Sequence, residues 1–237
     1  MKGILLAGGS GTRLYPITKV INKHLLPVYD KPMIFFGLKT LIDSGVGEIA
    51  VIKGPPFGNQ VKIVLDDLRL KAKITYVNQP KPAGMPDGIL RCEKFAKGES
   101  VMVVAGDNLF GGNFKKEING FGKGTVSFLR KVKDPSRFGV PVYDKGGKLV
   151  AIKEKPKKPQ TNWAIIGPHI FDNQVFNLIK TLKPSARGEL EISDLNNLYL
   201  KKGQLKLVER TDYWSDLGTL KSLAEASKYL LEKYDKK

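Results

Sequence analysis

Cysteine, histidine and long apolar runs are nearly absent from this chain, and each scarcity removes a class of function. Cys92 is the single cysteine, so no disulfide within the chain and no cysteine-built metal site can form. His24 and His169 are the two histidines, too few for a histidine-ligated metal. Any divalent ion must then be held by carboxylate oxygens, which favours magnesium over zinc. No apolar run approaches the length needed to cross a bilayer, so no membrane partner is expected. Acidic residues are also scarce: 23 Asp and Glu stand against 40 Lys and Arg, a net charge of +17. Such a balance attracts polyanions. The lysines are scattered, however, and no basic stretch is interleaved with aromatics as in a nucleic-acid module. A solvated, lysine-rich surface is expected, with no nucleic acid as partner.

What is present starts at the N-terminus. Gly3-Ile4-Leu5-Leu6-Ala7 is an apolar run of the kind that forms a fully buried strand. It breaks into Gly8-Gly9-Ser10-Gly11-Thr12-Arg13, with three glycines in four residues followed by a hydroxyl and a guanidinium. Glycines let backbone N–H groups approach a ligand closely, and successive N–H groups form an anion-binding concavity. Arg13 adds a positive fork suited to phosphate oxygens. The loop reads as a phosphate cradle, yet it lacks the third glycine of the dinucleotide fingerprint and the Gly-Lys-Ser/Thr of the P-loop. Its nearness to Met1 leaves no room for a secretory signal, so a cytoplasmic location is expected.

Downstream, helical and strand patterns alternate. Residues 31–45 predict a helix, 48–52 a strand, 61–68 a helix, 73–77 a strand, 88–96 a helix and 101–105 a strand. Such βαβ units predict a largely parallel sheet. Two β-rich segments, 125–130 and 140–154, surround a turn at Asp144-Lys145-Gly146-Gly147. A strand over 163–171, helices near 173–182 and 190–201, a strand over 205–208 and a closing helix from Leu217 to about Glu232 complete the pattern. The expected fold is α/β, doubly wound and Rossmann-like, as one domain of 237 residues. Residues 1–122 would form a nucleotide-binding half and 123–237 a half that closes over it.

Asp107 follows the strand over 101–105, and ligands in open α/β sheets bind outside such strand ends. It is a natural magnesium ligand, and one carboxylate seldom suffices. The best distant partner is Asp216 in Tyr213-Trp214-Ser215-Asp216-Leu217-Gly218-Thr219. Taken alone, Asp216 reads equally as the N-cap of the last helix, and Asp107 as a turn residue. Lys23, Lys155 and Arg187 are further cations whose value comes from the pattern they complete.

Leu6 to Pro16, the Lys23 segment through Asp30-Lys31-Pro32, Gly106-Asp107-Asn108, Glu154-Lys155-Pro156, Ser185 to Glu191 and Trp214 to Thr219 together resemble the sugar-1-phosphate nucleotidyltransferase family. The six matches occur in order along almost the whole chain. The resemblance implies an α/β/α sandwich in which a sugar 1-phosphate attacks the α-phosphorus of dTTP or UTP, with glucose 1-phosphate as the expected sugar. It implies Mg2+ held by Asp107 and Asp216. Arg13, Lys23, Asp107 and Lys155 would be catalytic. Leu6, Ala7, Gly8, Gly9, Gly11, Thr12, Arg13, Gln79 and Gly84 would bind the nucleotide, with Gln79 and Gly84 beside the pyrimidine. Asn108, Gly139, Glu154, Lys155 and Arg187 would meet the sugar phosphate.

Relatives of this kind commonly self-associate, so a homo-oligomer is possible. They also carry a helical tail beyond the segment matching the last helix here, so weaker feedback inhibition is expected. The sequence departs from the family at His24, at Met85-Pro86-Asp87-Gly88 and at Ile165 to His169, which points to a reshaped sugar pocket. The competing readings are a transferase for UTP or another sugar phosphate, a nucleotide-sugar sensor without turnover, and a basic RNA-associated protein.

Overall fold

The apolar run after Met1 becomes β1 (Lys2–Ala7) in a computed structural model that describes residues 1–9 and 11–234. Ser10 of the glycine loop lies outside the described residues. Three short 3-10 turns follow, then the two-residue strands β2 (Pro27–Val28) and β3 (Lys31–Pro32), which pair with each other. Next come α1 (Ile34–Asp43), β4 (Glu48–Lys53), α2 (Gly58–Asp66) and β5 (Lys73–Asn78). The middle of the chain holds α3 (Met85–Leu90), α4 (Glu93–Ala96), β6 (Val101–Ala105), β7 (Asn108–Phe110) and α5 (Lys115–Asn119). β8 (Thr125–Lys131), β9 (Gly139–Tyr143), β10 (Leu149–Glu154) and β11 (Trp163–Phe171) precede α6 (Val175–Ile179) and α7 (Ile192–Lys201). The last elements are β12 (Leu205–Glu209), β13 (Trp214–Asp216) and α8 (Leu220–Tyr234).

These elements sort into two compact units that interleave along the sequence. The first comprises Lys2–Pro82, Val104–Lys116 and the described residues from Asp212 on; the second comprises Ala83–Val103 and Glu117–Thr211, with Met1. The expected halves, 1–122 and 123–237, are contiguous, whereas these units interleave. Two packing facts account for the interleaving. Helix α8 shares a core with Leu14, Val28 and Met33 from the start of the chain, and α3 packs on α6 and α7.

In the first unit β1, β4 and β5 run parallel, with Gly3 opposite Ile49 and Ile49 opposite Ile74. Ile4, Leu5, Ala7 and Ile49 to Ile52 are fully buried, as expected for parallel strands covered on both faces. Helix α1 buries Ile34, Leu38 and Leu41. It can lie close because a Cβ at Gly37 would stand 2.9 Å from the Leu5 side chain. A second core joins Leu14, Leu26, Val28, Met33, Leu109 and Leu217 to Leu223, Ala226 and Leu230 of α8.

The second unit is mostly antiparallel. β11 pairs with β8, with β9 and with Val101–Val103 of β6, while β9 and β10 form a hairpin around the expected turn and β12 joins β8 in parallel. Helix α7 is fixed to β10 by Asn197, whose amide bonds both the N–H and the C=O of Ile152 at 2.8 Å.

Where elements differ from expectation, local chemistry explains it. Lys31 and Pro32 pair as a strand instead of opening a helix, so α1 begins later. The helix expected over 88–96 divides into α3 and α4, and Gly84 at φ 93° sets the earlier start with Pro86 in the first turn. α8 begins after Thr219 because the Thr219 hydroxyl accepts from Ser222 N at 3.1 Å while Ser222 Oγ accepts from Thr219 N at 3.1 Å. That reciprocal cap removes the N-cap role from Asp216.

Candidate active site

Two acid–cation pairs organise the first unit's polar cluster. Lys23 Nζ lies 2.6 Å from Asp107 Oδ2, and both side chains are largely buried. Arg13 Nη1 lies 3.7 Å from Asp216 Oδ2, with the arginine side chain 54% exposed. The two carboxylates come from segments more than 100 residues apart, joined because β13 pairs with β7. Asp216 is opposite Asn108, and Leu217 N donates to the Asp107 carbonyl at 2.8 Å. Buried Leu14 and Leu217 sit in one apolar cluster, which anchors the residues that carry Arg13 and Asp216.

The glycine loop packs against the same cations. A Cβ at Gly9 would meet Lys23 Nζ at 3.1 Å, and one at Gly8 would meet Gln79 Oε1 at 2.8 Å. Gly11 has φ 67°, and Thr18 Oγ1 donates to its carbonyl at 2.8 Å. The glycines thus make room for Lys23 and Gln79, a use the sequence alone did not suggest. Leu6 and Ala7 close β1, and Thr12 opens the 3-10 turn that carries Arg13.

Burial pushes the Asp107 carboxyl up, but the Lys23 ammonium and hydrogen bonds from Lys23 and Asn108 outweigh it. The carboxyl is held well below its ordinary range and stays ionised. His24, next to Lys23 in the chain, is buried, with its N–H and ring Nδ1 both 2.9 Å from Asn22 Oδ1. Burial first, and the Lys23 charge second, lower it to about 3. It is a neutral, buried imidazole, so the departure from the family at this position falls in the interior beside Gly106.

In the second unit, Gly139, Glu154, Lys155 and Arg187 come together. Glu154 is opposite Gly139 across the β9–β10 hairpin and accepts from Ser193 Oγ at 2.6 Å. Lys155 Nζ is 3.5 Å and Arg187 Nη2 3.8 Å from Glu154 Oε1. Lys155 adopts φ 42°, a strained region for a lysine, and its N–H donates to Phe138 O at 2.9 Å. Arg187 is clamped by Glu191 through Nε to Oε1 at 3.1 Å and Nη2 to Oε2 at 2.7 Å. Hydrogen bonding to Glu191 raises the guanidinium further, and despite partial burial Arg187 and Ser185 lower the Glu191 carboxyl.

Asn108, read from the sequence with the sugar-phosphate set, stands in the first unit beside Asp107. Gly84, at φ 93°, lies in the second unit against the Leu190 backbone. Asp87 is paired with Arg91 at 2.9 Å, so its negative charge is compensated one helical turn away. His169 is buried within the sheet, 2.8 Å from Ser127 Oγ and stacked on Phe171, so that departure changes the interior. Glu191 and Ser193 were missed: Arg187 and Glu191 lie in the turn that precedes α7, where no helical spacing links them.

Among the described residues no cluster of three or more His, Cys, Asp or Glu could hold a metal by itself. Asp107 and Asp216 still offer an all-oxygen donor set, which suits a hard ion that keeps several waters and takes further ligands from phosphate. No described helix is long and apolar enough to cross a membrane.

A family model described as nucleotidyl transferase matches residues 2–233. The chain is 44% identical over 237 residues to the glucose-1-phosphate thymidylyltransferase of Neisseria meningitidis, covering 97% of this chain and 82% of that one. It is 39% identical over 236 residues to the Mycolicibacterium smegmatis protein of the same name, covering 97% of this chain and 82% of that one. Among solved structures, a Bacillus anthracis protein assigned as a glucose-1-phosphate thymidylyltransferase, in complex with sucrose, matches at TM-score 0.89 and 42% identity. That match covers 97% of this chain and 94% of the other. An apo UDP-glucose pyrophosphorylase shares the fold at TM-score 0.87 and 23% identity, covering 99% of each chain.

Proposed function

The chain belongs to the nucleotidyl transferase family, and from that premise we propose that it transfers a thymidylyl group from dTTP to glucose 1-phosphate, giving dTDP-glucose and pyrophosphate. A phosphate oxygen of the sugar attacks the α-phosphorus in line. The bond from that phosphorus to the bridging oxygen breaks, and pyrophosphate leaves with the electron pair. The nucleophile is already an anion, so the protein must align and neutralise charge rather than supply a covalent partner.

The observation that carries the reading is the pairing of Lys23 with Asp107 and of Arg13 with Asp216, the two acids being brought together where β7 pairs with β13. Arg13 and Lys23 hold triphosphate oxygens, and amides of Gly8, Gly9 and Gly11 contribute further donors. Gln79, held against Gly8, reads the pyrimidine edge with an amide that both donates and accepts. Lys155 takes the incoming sugar phosphate, Arg187 assists it, and Glu154 and Gly139 meet sugar hydroxyls. Asp107 and Asp216 would hold Mg2+, which when bound supplies positive charge at the α-phosphate and at the departing pyrophosphate.

Pyrophosphate release across a panel of nucleoside triphosphates and sugar 1-phosphates tests the reading. dTTP with glucose 1-phosphate should be turned over fastest, and chelation of divalent ions should abolish the activity. Asp107→Asn and Asp216→Asn should each lower turnover by about 100-fold or more. Near-normal rates in both variants would remove the metal assignment, and binding of dTDP-glucose with no turnover of any pair would favour the sensor.

A further inference from the structure

The register of β7 and β13 places Trp214 diagonally across from Asn108, with Asp216 directly opposite it. Trp214 Nε1 donates to Asn108 Oδ1 at 2.7 Å, and Asn108 Nδ2 donates to Asp107 Oδ1 at 3.1 Å. Asn108 is buried. The direction of this chain is fixed by chemistry. An indole nitrogen can only donate, so the amide oxygen must face Trp214; an ionised carboxylate can only accept, so the amide nitrogen must face Asp107. Lys23 holds the other oxygen, Oδ2, at 2.6 Å. Each carboxylate oxygen therefore has its own donor, and the plane of the group is set from two sides.

We propose that Trp214 is a positioning residue, acting through Asn108 to orient the Asp107 carboxylate toward a divalent ion. The proposal rests on the reading of Asp107 as a metal ligand and deepens it. It gives Asn108 a part in orienting that carboxylate. Without the indole N–H the Asn108 amide is free to turn, its nitrogen leaves Asp107, and Oδ1 loses its directional donor. Partners that orient a metal ligand typically matter by about 10- to 100-fold in affinity or activity.

The test uses Trp214→Phe, Asn108→Leu and the double variant, each compared by circular dichroism with the parent. Mn2+ is titrated by proton-relaxation enhancement in the presence of a dTTP analogue with an uncleavable α,β bridge. Trp214→Phe should weaken Mn2+ about tenfold and lower kcat by a similar factor, with KM for glucose 1-phosphate within about twofold of the parent. Asn108→Leu should do the same, the double variant should be no worse than Asn108→Leu alone, and Trp214→His, which keeps a ring N–H, should regain part of the loss. Unchanged Mn2+ affinity in Trp214→Phe overturns the proposal. So does a rise confined to KM for the sugar phosphate, or losses that add in the double variant. Asp107→Asn separates the two levels: if it binds Mn2+ like the parent, the metal reading fails. If it loses Mn2+ while Trp214→Phe does not, only the positioning role fails.

Discussion

Replacing Lys23 with methionine keeps most of the length of the side chain and removes its charge, leaving Asp107 without its principal counter-ion. The pair is 2.6 Å apart and its two side chains are 13% and 14% exposed, so solvent cannot compensate the carboxylate fully. Breaking a buried pair costs about 3–5 kcal/mol. Asn108 still donates to Oδ1 at 3.1 Å, which places the expected loss at the lower end, about 3 kcal/mol at pH 7. For a chain of this length that corresponds to a midpoint about 6–12 °C lower.

The pH dependence has a definite sign. In the parent protein the Asp107 carboxyl is held below its unfolded value, so its stabilising contribution is full above that value and is lost as pH falls. In the variant burial is no longer outweighed by Lys23, the carboxyl rises, and protonation relieves the strain at a higher pH. The stability gap between parent and variant must therefore narrow as pH falls from 7 toward 4. Urea unfolding at several pH values measures it. Adding Asp107→Asn to the variant should recover about 2 kcal/mol, since the buried charge is gone. A gap below about 1 kcal/mol at pH 7, or one that stays constant with pH, refutes the reasoning.

Gly84→Ala should destabilise the protein by at least about 3 kcal/mol, because the position has φ 93° and a Cβ would run into the Leu190 carbonyl. Denaturant midpoints check this, with Gly122→Ala, where no atom lies within 4 Å of a new Cβ, as the mild control. Both histidines are buried, with His24 lowered to about 3 and His169 to about 4, so the unfolded chain binds more protons below pH 6.5. Stability should fall as pH drops from 6.5, by about 2 kcal/mol per histidine at pH 5, and unfolding curves at pH 7 and pH 5 should show it. Burial pushes the Cys92 thiol up to about 12, so a disulfide-exchange reagent should label it only at the rate of unfolding.

The strands with one dominant signal were legible in the sequence. The expected spans 101–105 and 163–171 are β6 and β11; β6 is an unbroken apolar run, and β11 keeps its apolar span although the register shifts at Gly167-Pro168. The resemblance to a nucleotidyltransferase was legible too, because its motifs are contiguous and ordered. The short strands β7 and β13 were not. Each has three residues, too few for a period, and each exists only because the other is there to pair with it. The same holds for Glu191, which Arg187 reaches within the turn before α7, and for His24, whose burial as a neutral imidazole no local pattern signals.

Pairing between distant segments also decides what the excess of positive charge does at the site. A net charge of +17 suggests open attraction for anions, yet Lys23 is matched to Asp107, Arg13 to Asp216, and Arg187 to Glu191. None of these three cations is a bare charge. On the proposed reading, a magnesium–triphosphate complex brings cations for the two aspartates and anions for Lys23 and Arg13 at once. Binding is then an exchange of ion pairs, in which each buried group leaves one partner only as it gains another. An isolated triphosphate without metal supplies only half of that exchange, since it gives the aspartates nothing in return for their cations. Metal-free dTTP should accordingly bind much more weakly than the magnesium complex, and calorimetry with and without chelator distinguishes this exchange from simple attraction to a basic surface, which would favour the more highly charged free nucleotide.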